Sequence, residues 1–238
     1  MKSSISVTEY NIIAPVDLTL VFLSDLHNYP NESILEIISQ HHPDAVLVGG
    51  DFADESGSSR QDVEFFKAVC DIAATFCVIG NHEKCWEAKT GNTIRERLKG
   101  TNTTVLYDDY VLFHGIYIGG LTSTSGTTFS KPEPPNTGWL EDFGKLDGYK
   151  ILLCHHPEYY ESYIKALPIE LTLSGHAHGG QWRFFGKGVF APGQGFFPKY
   201  TCGLYDNRMI VSRGIGNYHL IPRINNKPEI VLLNLRAQ

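Results

Sequence analysis

Apolar residues fall along this chain in short runs that stop at polar turns rich in Gly, Asp and His. Leu18-Thr19-Leu20-Val21-Phe22-Leu23 is β-branched and aromatic enough for a buried strand, and residues 31–40 then place Ile34, Leu35, Ile37 and Ile38 at helical spacing. Ala45-Val46-Leu47-Val48 predicts a second strand. Residues 62–72 predict a helix through Val63, Phe65, Phe66, Val69 and Ile72, and 75–79 a third strand. The alternation returns later, with Ile151-Leu152-Leu153 as strand, 158–166 as helix and 169–173 as strand. Between the halves lie the strand-like pieces 111–113 and 116–118, then a Thr-, Ser- and Pro-rich stretch, 122–137, that reads as a long surface loop. The last third alternates short β-rich pieces with Gly and Pro turns, its best strands being 189–190, 209–211 and 230–233. Two α/β halves with a β-rich end predict two sheets packed face to face with helices outside.

Five of the turns carry metal-ligand chemistry: Asp25-Leu26-His27, Gly50-Asp51-Phe52-Ala53-Asp54, Gly80-Asn81-His82-Glu83, Cys154-His155-His156-Pro157 and Gly175-His176-Ala177-His178-Gly179. Each directly follows an apolar run, and in such a fold ligands gather beyond the carboxyl ends of strands. Asp25 and His27, two apart, can share one face. Asp51 offers two oxygens, as a carboxylate that bridges two cations must. Asn81 adds a neutral carbonyl oxygen, and His155, His176 and His178 add imidazole nitrogens. This mixed N/O set suits Mn, Fe, Zn or Ni better than an all-oxygen Mg or Ca cage. Any one block alone could be an ordinary turn. Five in succession point to a site for two divalent ions, and the donors alone do not choose among Mn, Fe, Zn and Ni.

Charge and cysteine content narrow the setting. Twenty Lys plus Arg against 26 Asp plus Glu give a net charge of −6, with no run of basic residues, so nucleic acid is not an expected partner. Five cysteines without a Cys-x-x-Cys pair favour reduced thiols. Cys154 and Cys85 read as small buried hydrophobes. The longest early apolar run has six residues, far short of the roughly 20 that span a bilayer. No secretory signal is evident at the start, so the expected location is the cytoplasm, with peripheral membrane contact left open.

In their order and spacing the five blocks resemble the calcineurin-like metallophosphoesterase superfamily. The resemblance implies a four-layer α-β-β-α sandwich of two mixed sheets, forming a single domain over residues 1–238. It implies a first metal held by Asp25, His27, Asp51 and His178, and a second held by Asp51, Asn81, His155 and His176, with His155 chosen over His156. It further implies attack by a metal-bridging hydroxide, with His82 assisting the leaving group and Asp54 orienting His82. Protein phosphatases of the superfamily carry arginines where this chain has Glu55 and Ile79, which argues against a phosphoprotein substrate.

Gly179-Gly180-Gln181, the stretch Ala191 to Tyr200, Val211-Ser212-Arg213-Gly214 and 222–230 resemble a bacterial phosphodiesterase subgroup that includes UDP-2,3-diacylglucosamine pyrophosphatases. The expected substrate is a small or lipid-linked phosphodiester or pyrophosphate. The aromatic segment 182–200 reads equally as an apolar groove or as ordinary packing, and no substrate-binding residue is named. The competing readings are a non-catalytic metal-binding module of the same fold, and a nuclease.

Overall fold

A computed structural model describes residues 5–27, 29, 32–53, 60–124, 132–217 and 222–237. In chain order the elements are β1 (Ser6–Ile13), β2 (Leu18–Leu23), α1 (Glu32–His41), β3 (Ala45–Val48), α2 (Gln61–Cys70), β4 (Ala74–Cys77), α3 (Asn81–Thr90), α4 (Ile94–Arg97) and β5 (Thr104–Val105). There follow β6 (Asp109–Phe113), β7 (Ile116–Leu121), α5 (Thr137–Gly144), β8 (Lys150–Cys154) and β9 (Leu171–Ser174). Four two-residue strands come next, β10 (Arg183–Phe184), β11 (Lys187–Gly188), β12 (Phe190–Ala191) and β13 (Gly195–Phe196), then β14 (Gly203–Tyr205), β15 (Met209–Val211) and β16 (Glu229–Arg236).

Two six-stranded mixed sheets, ordered β1-β16-β2-β3-β4-β5 and β14-β15-β9-β8-β7-β6, carry the structure. Within them β2, β3 and β4 run parallel, as do β7, β8, β9 and β15. Side-chain alternation explains why these strands read as continuous apolar runs. On β2, Leu18, Leu20 and Phe22 enter the layer between the sheets, where Leu47, Ile118, Ile151, Leu153, Leu173 and Ile210 meet them. Val21 and Leu23 face the other way, onto Ile34 and Ile38 of α1 and Phe66 and Val69 of α2. On the second sheet Leu152, Cys154, Met209 and Val211 pack outward against Leu140 and Phe143 of α5. Strands buried on both faces have no polar face to show. The result is the expected four-layer α/β sandwich. No helix among the described residues is long and apolar enough to cross a membrane.

Several elements differ from the sequence reading. The helix expected over 158–166 is a short π-helical turn, Tyr160–Ile164, closed by Lys165 N–H donating to the Tyr160 carbonyl at 2.8 Å. That wider turn lets Tyr159, Tyr160 and Ile164 all enter the outer core. The strand expected at 189–190 sits one residue later, as β12. β1 was not anticipated, because its strict in-out alternation leaves it only half buried, yet it pairs in parallel with β16 along its whole length. α3 was missed because it buries only Glu83 and Trp86. α5 starts at Thr137 with its N-terminus capped by the Asn136 side chain, so the polar stretch is loop only up to there; 125–131 lie outside the described residues.

Candidate metal centre

Asp25 and His27 follow β2, Asp51 follows β3, Asn81 and His82 follow β4, His155 follows β8, and His176 and His178 follow β9, so one end of both sheets gathers every predicted ligand. Five of the seven turn back on themselves with left-handed backbone: Asp25 (φ 54°), His27 (44°), Asp51 (53°), His176 (64°) and His178 (45°). Non-glycine residues rarely adopt that conformation, and such strain concentrates at functional sites. The turns also pack backbone to side chain. A Cβ on Gly80 would stand 2.1 Å from Asp51 Oδ1, so only glycine lets β4 approach the aspartate.

Asp51 is the meeting point. Its Oδ2 lies 3.2 Å from His155 Nε2, 3.9 Å from His82 Nε2 and 4.0 Å from His27 Nε2. Its Oδ1 accepts the His82 backbone N–H at 3.0 Å. Burial would raise this carboxyl, yet His155 and His82 hold it well below the usual carboxylate range. His155 donates from Nδ1 to the Gly49 carbonyl at 2.8 Å, which leaves Nε2 facing Asp51 and, at 3.2 Å, Asn81 Oδ1. Burial pulls this imidazole down, but Asp51 prevails and holds it up at about 10 when only a proton can sit there.

On the other side, His178 Nε2 lies 3.4 Å from His27 Nε2 and 3.6 Å from Asp25 Oδ1. Burial drives His27 down to about 4 and His176 and His178 well below the ordinary histidine value, so these rings are neutral and present lone pairs. Asp25 is fully buried; desolvation pushes it up to about 6, with His155 opposing and Asp51 adding to the rise. Buried lone pairs converging at 3 to 4 Å separations call for cations, and around Asp51 the donors form three overlapping groups: Asp25, His27 and His178; His27, Asp51 and His82; and Asp51, His155 and His176. The residues therefore fit divalent-ion binding. His82, with its side chain 13% exposed, stands at the mouth with its ring edge-on to His27. Asp54 lies outside the described residues.

Residues the sequence reading passed over hold this floor in place. Glu83 accepts three backbone N–H groups, from Asp51 (2.8 Å), Ala53 (2.9 Å) and Gly80 (2.8 Å), and so ties the turns after β3 and β4 together. Burial and Asp51 push its carboxyl up to about 7 against those donors. Asn226 donates to the carbonyls of His178 (2.7 Å) and Gln181 (3.1 Å), fixing the last turn. Ile215 and Gly216 donate to the Ser24 and Asp25 carbonyls. These contacts explain what the C-terminal signature does. The visible clue was Glu83 itself, directly after His82.

The aromatic segment divides. Tyr200 is buried, whereas Phe184, Phe185, Phe196 and Phe197 are 51%, 105%, 69% and 83% exposed, although Phe196 meets the Phe190 ring edge-on at 5.5 Å. Their two hairpins rest on the metal-binding turn, since Val189 donates to the Gly180 carbonyl and Phe197 to that of Val189. Beside them a cavity of about 470 Å³ is lined by Glu158, Tyr159, Gly193, Phe197, Lys199 and Tyr200. His156 and Glu158 form a further buried group with His176.

Comparison with known proteins agrees with the geometry. Residues 18–180 match the calcineurin-like phosphoesterase family. Phosphodiesterase YaeI of Escherichia coli is 28% identical over 91% of this chain and 81% of its own length. The uncharacterized protein YpbG of Bacillus subtilis is 28% identical over 92% of this chain and 81% of its own. One solved structure, 13% identical, overlays on 82% of this chain and 90% of its own at a TM-score of 0.51, a likeness of fold alone. The matched span holds every ligand turn just described, and the chain belongs to the calcineurin-like phosphoesterase family, with metal-dependent phosphoester hydrolysis as its chemistry.

Proposed function

We propose that the chain cleaves a phosphodiester or pyrophosphate bond in a small or lipid-bearing molecule, with His82 assisting departure of the leaving group. The observation that carries this reading is the convergence of His27, His82 and His155 on Asp51 Oδ2. Asp51 would then be shared by two cation seats, with Asp25, His27 and His178 completing one and Asn81, His155 and His176 the other. A bound cation pair supplies an activated water and neutralises charge on the phosphoryl oxygens. His82 Nε2 lies close enough to the centre to donate a proton or a hydrogen bond to a departing oxygen.

Two features favour a diester over a monoester. Ile79 is fully buried in the core, so the position where protein phosphatases carry an arginine offers no grip for a dianionic phosphate. Arg223, close enough to affect Asp25 and His27, spends its guanidinium on the Arg213 and Gly216 carbonyls. The four exposed phenylalanines supply an apolar rim for an acyl chain or a base. With Mn²⁺, bis-p-nitrophenyl phosphate should be hydrolysed faster than p-nitrophenyl phosphate, and His82→Ala should lower kcat by about 10²- to 10³-fold while metal content stays unchanged. A wild-type protein inert toward the diester, or a His82→Ala variant with full turnover, would sink the reading.

A further inference from the structure

Behind the second seat the turn after β8 presents a second set of ligands that the hydrolytic site leaves unused. His156 and His176 stack edge to face with ring centres 4.3 Å apart. Glu158 reaches between them, Oε1 at 3.7 Å from His176 Nε2 and Oε2 at 3.9 Å from His156 Nδ1. Both separations are too long for hydrogen bonds. Among the described residues neither ring nitrogen of His156 and neither oxygen of Glu158 has a well-formed hydrogen-bond partner, and all four atoms are sealed from solvent. Weak backbone hydrogen bonding, with Thr124 for the His156 ring and with its own main chain for the Glu158 carboxylate, is all that the described residues offer. A carboxyl group and an imidazole left without good partners in the interior are destabilising, so such a cluster implies a missing partner.

The spacings identify that partner. Two donors bonded to one ion at about 2.1 Å stand roughly 3.4 to 3.7 Å apart at tetrahedral to trigonal angles. The catalytic pairs show that signature, at 3.4 Å for His27 with His178 and 3.6 Å for His178 with Asp25. The Glu158 pairs nearly share it. We propose that His156, Glu158 and His176 form a third cation seat, of the two-imidazole, one-carboxylate type that suits Zn²⁺, and that filling it inhibits hydrolysis by drawing His176 from the second seat, whose ion stays on Asp51, Asn81 and His155. The inhibitory part rests on the proposed two-metal function; the seat itself does not. Gly193 closes the roof, since a Cβ there would stand 2.1 Å from Glu158 Oε1 and 3.5 Å from His176 Nε2. The cavity lined by Glu158 and Gly193 is the approach.

Zinc stoichiometry tests the seat without reference to turnover. Wild-type protein dialysed against Zn²⁺ should hold about three ions per chain by elemental analysis, and Glu158→Gln and His156→Phe about two. Gly193→Ala, which displaces the carboxylate and alters no ligand, should also hold about two, and covers the case in which a direct variant fails to fold. A wild-type value of two, or folded variants that keep three, overturns the seat. In parallel, excess Zn²⁺ should suppress Mn²⁺-supported hydrolysis of bis-p-nitrophenyl phosphate in the wild type and not in the variants. Equal suppression in both overturns the inhibitory role alone, and wild-type protein inert toward the diester fails the function while the stoichiometry still decides the seat.

Discussion

The floor of the metal centre and the aromatic rim above it are neighbours built by opposite rules. On the floor, Asp25, Asp51, His155 and His178 are at most 2% exposed and anchored by backbone donors and acceptors. On the rim, Phe185 and Phe197 stand in open solvent on hairpins whose strands are two residues long. A floor made of long-range turns cannot vary without losing its ligands. A rim on short hairpins can, because nothing else packs on its tips. Under the proposed function the floor sets the chemistry and the rim the substrate choice, a division that loops on rigid scaffolds commonly show.

Breaking the floor should have the largest effect. Glu83→Ala strands three buried N–H groups, each costing about 1 to 3 kcal/mol, so the melting temperature should fall clearly. Because Asp51 and Gly80 lose their shared tether, Mn²⁺ affinity by titration calorimetry should drop about 10- to 100-fold. Glu83→Gln, which keeps acceptor oxygen but loses charge, should fall between. Unchanged metal affinity in Glu83→Ala would mean that the ligand turns hold themselves.

The gathering of the candidate ligands was legible in the chain because each stands directly after an apolar run, and a buried parallel strand delivers its next residues to a common edge. The supports were not legible. Nothing in His155-His156-Pro157-Glu158 announces a turn that doubles back to place Glu158 against His176, and only the fold brings Asn226 to the His178 carbonyl. α3 escaped periodicity because a capping carboxylate, not an apolar stripe, secures its start. The rim was undecidable from sequence: phenylalanines that pack and phenylalanines that protrude read alike until their exposure on two-residue hairpins is seen.

Changing the rim should have a smaller and more selective effect. Phe185→Ser with Phe197→Ser removes two exposed rings and should shift folding stability by no more than about 0.5 kcal/mol per site. If an acyl chain or base binds there, the recovered apolar contact is worth about 1.4 kcal/mol or more, so KM for an acylated diester should rise about tenfold. Turnover of bis-p-nitrophenyl phosphate should not change. A parallel loss on both substrates would show that the rim props up the floor, and the division between them would fall.

The subtlest consequence lies in the protons. Without metal, His155 is held up at about 10 by Asp51 and so carries a proton at pH 7, whereas His27, driven down to about 4 by burial, does not. A cation needs both nitrogens bare. Binding at pH 7 should therefore release about one proton from His155 and none from His27. Calorimetric titrations in buffers of different ionisation enthalpy read that number directly. The release should persist as pH rises and fade only as it approaches 10, where the free protein has already lost the proton. His155→Gln should abolish it, and a release that survives this substitution would place the displaced proton on another group of the floor.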